Sequence, residues 1–252
     1  MDHHDEPLLL VLDYPGYRPE ARFADLRLDG HGVRTHDLLR RPLPRVTNGS
    51  EYAARSLLAN PAPAGPVTAI AAYCASAPLA FELARAVTPE GGAVPRLVLV
   101  DAEPGTLTPV LDSYRDALAQ LGVHPAEEEI RERADPDRLA HDPRGFVDAL
   151  VDDLERRAAE ALRALGSGPA EAIESAAHMA GAYADWLSHL VAAHRSRVSP
   201  WDGEVLHIDS AGGSGRHFAH GAAGVREIRI DCDRKDLLRS EETREAVLSA
   251  LR

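Results

Sequence analysis

Apolar positions fall along this chain in two alternating rhythms. Leu8 to Leu12, the run opening at Val67 and the stretch Arg96 to Val100 are short, nearly unbroken apolar segments, as expected of strands buried on both faces. Between them the pattern turns helical. Asn48-Gly49-Ser50-Glu51 announces a helix over about Ser50 to Asn60, and Leu79, Leu83, Ala84 and Val87 recur one turn apart before Pro95. Pro61 to Pro66 reads as a stiff connector. Arg18 to Val46 is charged and poor in apolar runs, with one strand expected over Asp25 to Leu28 and with His31 and His36 read as solvated loop histidines. Helix, connector, strand, helix is the order of a parallel sheet with helices on its faces.

From Gly105 to about Pro200 the strand rhythm disappears. Helices are expected over Pro109 to Leu121, Pro125 to Arg133, Arg144 to Ser167 and Pro169 to Val198; Phe146, Val147, Leu150, Val151, Leu154, Ala158 and Leu162 form one amphipathic face. Trp201-Asp202-Gly203 breaks the last helix. A strand follows over Glu204 to Ile208, then a Gly-rich loop from Ser210 to Gly224, a strand over Val225 to Cys232 and a helix over Ser240 to Leu251. The chain therefore divides into a sheet-bearing core, 1–104 with 200–252, and a helical insertion, 105–199.

Composition narrows the class. A chain of 252 residues suits one α/β domain or two small ones, and 44% hydrophobic with 27% charged residues is a globular balance. No run is long enough to span a bilayer, and the acidic start MDHHDEP is not a signal peptide. Cys74 and Cys232 make neither a disulfide framework nor a zinc site, so no metal is expected and a reducing cytoplasm is the expected setting. A net charge of −12 argues against nucleic acid and anionic membranes.

The chemistry concentrates where the first long apolar run becomes a helix. Ala72-Tyr73-Cys74-Ala75-Ser76 sets small residues two places either side of a thiol, the layout of a nucleophile elbow with Cys in the central position. Such a turn is strained, and bulky flanking residues would collide with the neighbouring backbone. The helix beyond it aims unpaired N–H groups and a partial positive charge at the thiol, both favouring thiolate. Pattern alone leaves a second reading open, since a Cys among small apolar residues is commonly a buried hydrophobe.

The following Ala77-Pro78-Leu79-Ala80-Phe81-Glu82-Leu83-Ala84 resembles the helix after the active serine in thioesterases of polyketide and nonribosomal peptide assembly lines, where Gly-x-Ser-x-Gly-Gly leads into a similar segment. The resemblance implies an α/β-hydrolase-like, mostly parallel sheet flanked by helices, with 105–199 as a helical lid over an acyl tunnel. His178, His189 and His194 on the last lid helix would then face either the tunnel or ordinary packing. It also implies acyl thioesters as substrates, carried on the phosphopantetheine of an acyl or peptidyl carrier protein or on coenzyme A, and no cofactor of the protein's own. Asp101, in Leu99-Val100-Asp101-Ala102-Glu103-Pro104, matches the triad acid, which orients a base. Ala75 matches one oxyanion-hole donor and Gly16 or Tyr17, in Asp13-Tyr14-Pro15-Gly16-Tyr17, the other, with Tyr73 beside them as a substrate contact. Pro15-Gly16 also reads as a plain turn, and the family's loop there is usually richer in Gly or of His-Gly type.

At the family's catalytic histidine the chain departs. Cys232-Asp233-Arg234-Lys235-Asp236-Leu237-Leu238 puts Arg234 where the family has His in a segment such as Gly-Gly-His-Tyr-Asp-Leu-Leu, and an arginine stays protonated. Arg234 would stabilise a Cys74 thiolate but would not take a proton from water, which favours acyl transfer over hydrolysis. A relocated base is the other possibility, with His217 preferred to His220. Cys232 reads as a strand residue or as a redox partner of Cys74. The functional expectation is acyl transfer or hydrolysis through a Cys74 acyl-enzyme. The alternative is a catalytically impaired relative that binds an acyl chain or a carrier protein, or assists cyclisation.

Overall fold

A computed structural model describes residues 6–16, 18–198, 200–213 and 222–252. Six strands form one sheet in the order β2-β1-β3-β4-β5-β6: β1 Leu8–Leu12, β2 Arg34–Asp37, β3 Val67–Tyr73, β4 Arg96–Val100, β5 Glu204–Asp209 and β6 Gly224–Arg229. Every pairing is parallel. The fold class expected from the sequence, a mostly parallel sheet flanked by helices, is the one found.

The unbroken apolar runs follow from burial of both faces. Leu8, Leu10 and Leu12 with Ile70, Ala72, Leu97 and Leu99 pack on one side against α1 (Gly49–Ala59) and α2 (Ala77–Val87). Leu9 and Val11 with Ala69, Ala71, Tyr73, Val98 and Val100 pack on the other, beneath α8 (Glu241–Ala250). Alternation thus delivers successive side chains to two cores.

The strand expected over Asp25 to Leu28 does not form. Two 3-10 turns, Phe23–Leu26 and Leu28–His31, occupy that stretch. Polar side chains close the first, since the Asp25 carboxylate accepts the Arg22 backbone N–H at 2.8 Å and Asp13 accepts that of Phe23 at 3.0 Å. The second strand is instead β2, Arg-Thr-His-Asp, an edge strand without an apolar residue to mark it. His36 therefore lies in a strand, with Nε2 bonded to the Asn60 carbonyl at 3.2 Å, while His31 is exposed at the end of its 3-10 turn.

Five helices lie between β4 and β5: α3 Thr108–Gln120, α4 Glu127–Arg133, α5 Pro136–His141, α6 Pro143–Ala164 and α7 Pro169–His194. Asp135 and Asp142 cap α5 and α6, which separates a helix that the sequence pattern did not reveal. Their shared core includes Phe146, Leu150, Leu154, Leu187 and Val191 and takes in Ala75, with Cys74 packed against it. Inside it the Tyr114 hydroxyl donates to the buried Asp153 carboxylate at 2.5 Å, and Arg133, Arg156 and Arg157 pair with the same side chain. β6 ends earlier than expected. The backbone bends after Ile230, and Cys232 lies beyond the strand on the α8 side of the core. Among the described residues no helix is long and apolar enough to cross a membrane.

Candidate functional site

At the carboxyl end of β3 the chain makes the turn its spacing called for. Cys74 has φ +53° and opens a 3-10 turn, Cys74–Ser76, that runs into α2. Asp101, at the end of β4, has φ +41°; these two and Arg27 are the non-glycine residues at positive φ among those described. Two of three such residues meeting at the ends of adjacent central strands marks a strained crevice. Ala72 and Ser76 are both buried, as the tight junction requires.

One guanidinium organises the crevice. Arg234, at the start of the 3-10 helix Arg234–Arg239, donates from Nη2 to Cys74 Sγ at 2.6 Å and from Nη1 to Glu103 at 3.0 Å. Its Nε donates to the Tyr73 hydroxyl at 3.1 Å and lies 3.8 Å from Asp101 Oδ2. Two cations pack on the Tyr73 ring, Arg18 at 4.4 Å and Arg234 at 5.5 Å from its centroid. Asp101 is buried, and its carboxylate accepts the Ser210 backbone N–H at 2.8 Å and the Ser210 hydroxyl at 2.9 Å. The structure thus brings Cys74, Ala75, Tyr73, Asp101 and Arg234 together. Gly16 lies in the loop after β1, where its carbonyl accepts from Arg22. Tyr17, His217 and His220 lie outside the described residues.

The ionisation of Cys74 differs from the sequence expectation of a favoured thiolate. Its thiol is pushed up to about 12, first by burial and then by the neighbouring Glu103 carboxylate. Arg234 and the Ala75 N–H pull the other way and do not prevail. The Tyr73 hydroxyl is also pushed up to about 12, chiefly by burial. Burial disfavours the Arg234 cation, yet its polar and acidic neighbours outweigh it and the guanidinium stays charged. At neutral pH the cluster therefore holds a neutral thiol beside a fixed cation and a carboxylate.

Two residues with close contacts here were not singled out for this role from sequence. Glu103 accepts from Arg234, its charge acts on the neighbouring thiol, and its backbone N–H donates to the Cys74 carbonyl at 3.3 Å. The signal was present in Asp101-Ala102-Glu103, two carboxylates at one strand end. His189 on α7 is fully buried, with Nε2 3.1 Å from the Ser76 hydroxyl and Nδ1 3.1 Å from the Tyr52 hydroxyl. Burial drives its pKa down to about 3, so the ring is neutral. Trp186 stacks on it and Tyr14 packs across it. His194 holds the Gly105 carbonyl through Nδ1 at 2.9 Å, and His178 is exposed. Gly105 is required there, because a Cβ would meet the Ala193 carbonyl oxygen at 2.5 Å. A groove at the amino ends of β4, β5 and β6, lined by Arg96, Glu204, Val225 and Ser249, shares no residue with this cluster. Among the described residues, no group of His, Cys, Asp and Glu is arranged to hold a metal ion.

No family model matches the chain, and no curated protein does. Solved structures are similar over nearly its whole length. The NocB thioesterase domain, in covalent complex with a fluorophosphonate nocardicin G analogue, aligns with 98% of this chain and 96% of its own at 18% identity and a TM-score of 0.49. The RedJ thioesterase of the prodiginine pathway in Streptomyces coelicolor aligns with 99% of this chain and 86% of its own, at 16% identity and a TM-score of 0.48. The Vlm2 thioesterase domain bound with a dodecadepsipeptide aligns with 98% and 94%, at 16% identity and a TM-score of 0.49.

Proposed function

We propose that this protein takes acyl groups from thioesters onto Cys74 and passes them to an acceptor. The carrying observation is the elbow: a thiol at φ +53° on a strand-to-helix turn, with the Arg234 guanidinium on its sulfur. In this reading Cys74 Sγ attacks the thioester carbonyl and the carrier thiol leaves. Ala75 is the described oxyanion donor. Asp101, fixed by Ser210, and Glu103 keep Arg234 over the sulfur, where the cation stabilises the thiolate that each acyl transfer releases. The substrate class is an acyl group on the phosphopantetheine of a carrier protein or on coenzyme A. The helices of 105–199 would cover the acyl chain and exclude water.

A second reading has its own support. With its thiol held protonated and an arginine at the position of the base, the same crevice suits a protein that binds an acyl chain or carrier protein, or templates cyclisation, without covalent chemistry. Intact-protein mass spectrometry separates the two. After incubation with acetyl- or hexanoyl-pantetheine, the wild type should gain the mass of one acyl group and Cys74→Ala none. An unchanged wild-type mass would leave the binding reading.

A further inference from the structure

Arg234 occupies the place of a base without being able to act as one, yet it holds two other groups side by side. Its Nη2 is on the Cys74 sulfur and its Nη1 on the Glu103 carboxylate, adjacent nitrogens of one planar fork. The backbone bond from Glu103 N to the Cys74 carbonyl ties the two residues together independently of their side chains. Held on the same guanidinium as the sulfur, Glu103 keeps 32% of its side chain exposed, so a molecule entering the crevice can meet it.

The other described neighbours are unsuited to taking a proton. Arg234 is a permanent cation, and the Tyr73 hydroxyl already receives the Arg234 Nε–H. Asp101 spends both carboxylate oxygens on Ser210. His189 faces Ser76 and Tyr52 from complete burial. A thiol raised to about 12 is ionised to only about one part in 10⁵ at pH 7, so attack through preformed thiolate is slow and the proton must leave as the new bond forms.

We infer that Glu103 is the general base of this site, a catalytic role that rests on the acyl-transfer reading above. In the first half-reaction the Glu103 carboxylate takes the Cys74 S–H proton while Sγ bonds to the thioester carbonyl carbon. The bond from that carbon to the carrier sulfur breaks, and the departing thiolate recovers the proton from Glu103. In the second, an acceptor amine, alcohol or thiol gives its proton to Glu103 as it attacks the acyl carbon. The carbon–Sγ bond breaks, Arg234 holds the released thiolate, and Glu103 returns the proton to it. No net charge is created and no electrons are exchanged with an outside reagent. Arg234 and Glu103 together do the work of one histidine, split into a fixed cation and a proton carrier.

The test uses the full chain and acetyl-pantetheine, following acylation of Cys74 by quenched-flow mass spectrometry. Glu103→Gln keeps the size of the side chain and an oxygen for Arg234 but loses the base; it should acylate at least about 100-fold more slowly. Glu103→Ala should be equally slow and regain part of its rate in added formate, while circular dichroism and urea midpoints confirm that both variants are folded. A labelled wild type with Glu103→Gln labelled equally fast would overturn the inference and leave the acyl-transfer reading standing. A slow Glu103→Ala that formate does not restore would also overturn it, assigning Glu103 to positioning Arg234. A wild type that gains no acyl group removes the reading and the base with it.

Discussion

The Cys74 sulfur lies between a guanidinium that favours its charge and a carboxylate that opposes it, and burial tips the balance toward the neutral thiol. Removing either partner should move the thiol in opposite directions. In a Cys232→Ser background, Arg234→Ala should raise the thiol pKa further and slow iodoacetamide alkylation at every pH. Glu103→Gln should lower that pKa, read as a downward shift in the midpoint of the alkylation–pH profile. Equal alkylation profiles for the three proteins would show that neither side chain acts on the sulfur. Cys74 and Asp101 were legible because the strand-to-helix turn demands small residues at fixed spacing and because a carboxylate closed the next apolar run. The Cys74–Arg234 contact was legible only in part. Arg234 was visible as a departure from a resembled pattern, but no spacing rule gives the depth of burial, and that depth reverses the expected ionisation.

At the level of elements, β3, the Cys74 turn and α2 form the unit on which the crevice is built. A left-handed residue with a Cβ costs about 1–2 kcal/mol, a cost glycine avoids. Cys74→Gly should therefore be more stable than Cys74→Ala by about 1 kcal/mol, the reverse of their order in a regular helix. Urea denaturation of the two variants measures the difference, and an Ala variant at least as stable would mean that the turn relaxes. The strands of the core were readable because burial on both faces leaves long apolar runs. β2 was not, because an edge strand of Arg, Thr, His and Asp is held by backbone pairing alone. In the helical stretch the amphipathic face of α6 was visible, whereas the short, polar α5 depends on the Asp135 and Asp142 caps.

Across the whole molecule, sheet and helical insertion meet through buried polar bonds as well as apolar packing. Ser76 at the elbow, Tyr52 on α1 and His189 on α7 are 113 and 137 residues apart in pairing, so no local pattern could announce them. Burial lowers the His189 pKa from 6.5 to about 3. The unfolded chain therefore takes up this proton first as the medium is acidified. The stabilisation from His189 is complete above pH 6.5 and is lost as pH falls toward 3, at most about 1.4 kcal/mol per pH unit. His189→Gln should flatten that part of the stability curve, read as urea midpoints between pH 7 and pH 4. A variant with the wild-type slope would show that other groups carry the acid sensitivity.

The same helix grips both lips of the crevice. Through His189 it holds Ser76, two residues past the thiol, and through His194 it holds Gly105, two residues past Glu103, against which its own backbone is pressed. Raising the carboxyl half of α7 to admit a guest would drag thiol and carboxylate out of alignment together. That rod is consequently the stationary jaw of the vise: any movement of the insertion that keeps thiol and carboxylate aligned has to come from its other helices.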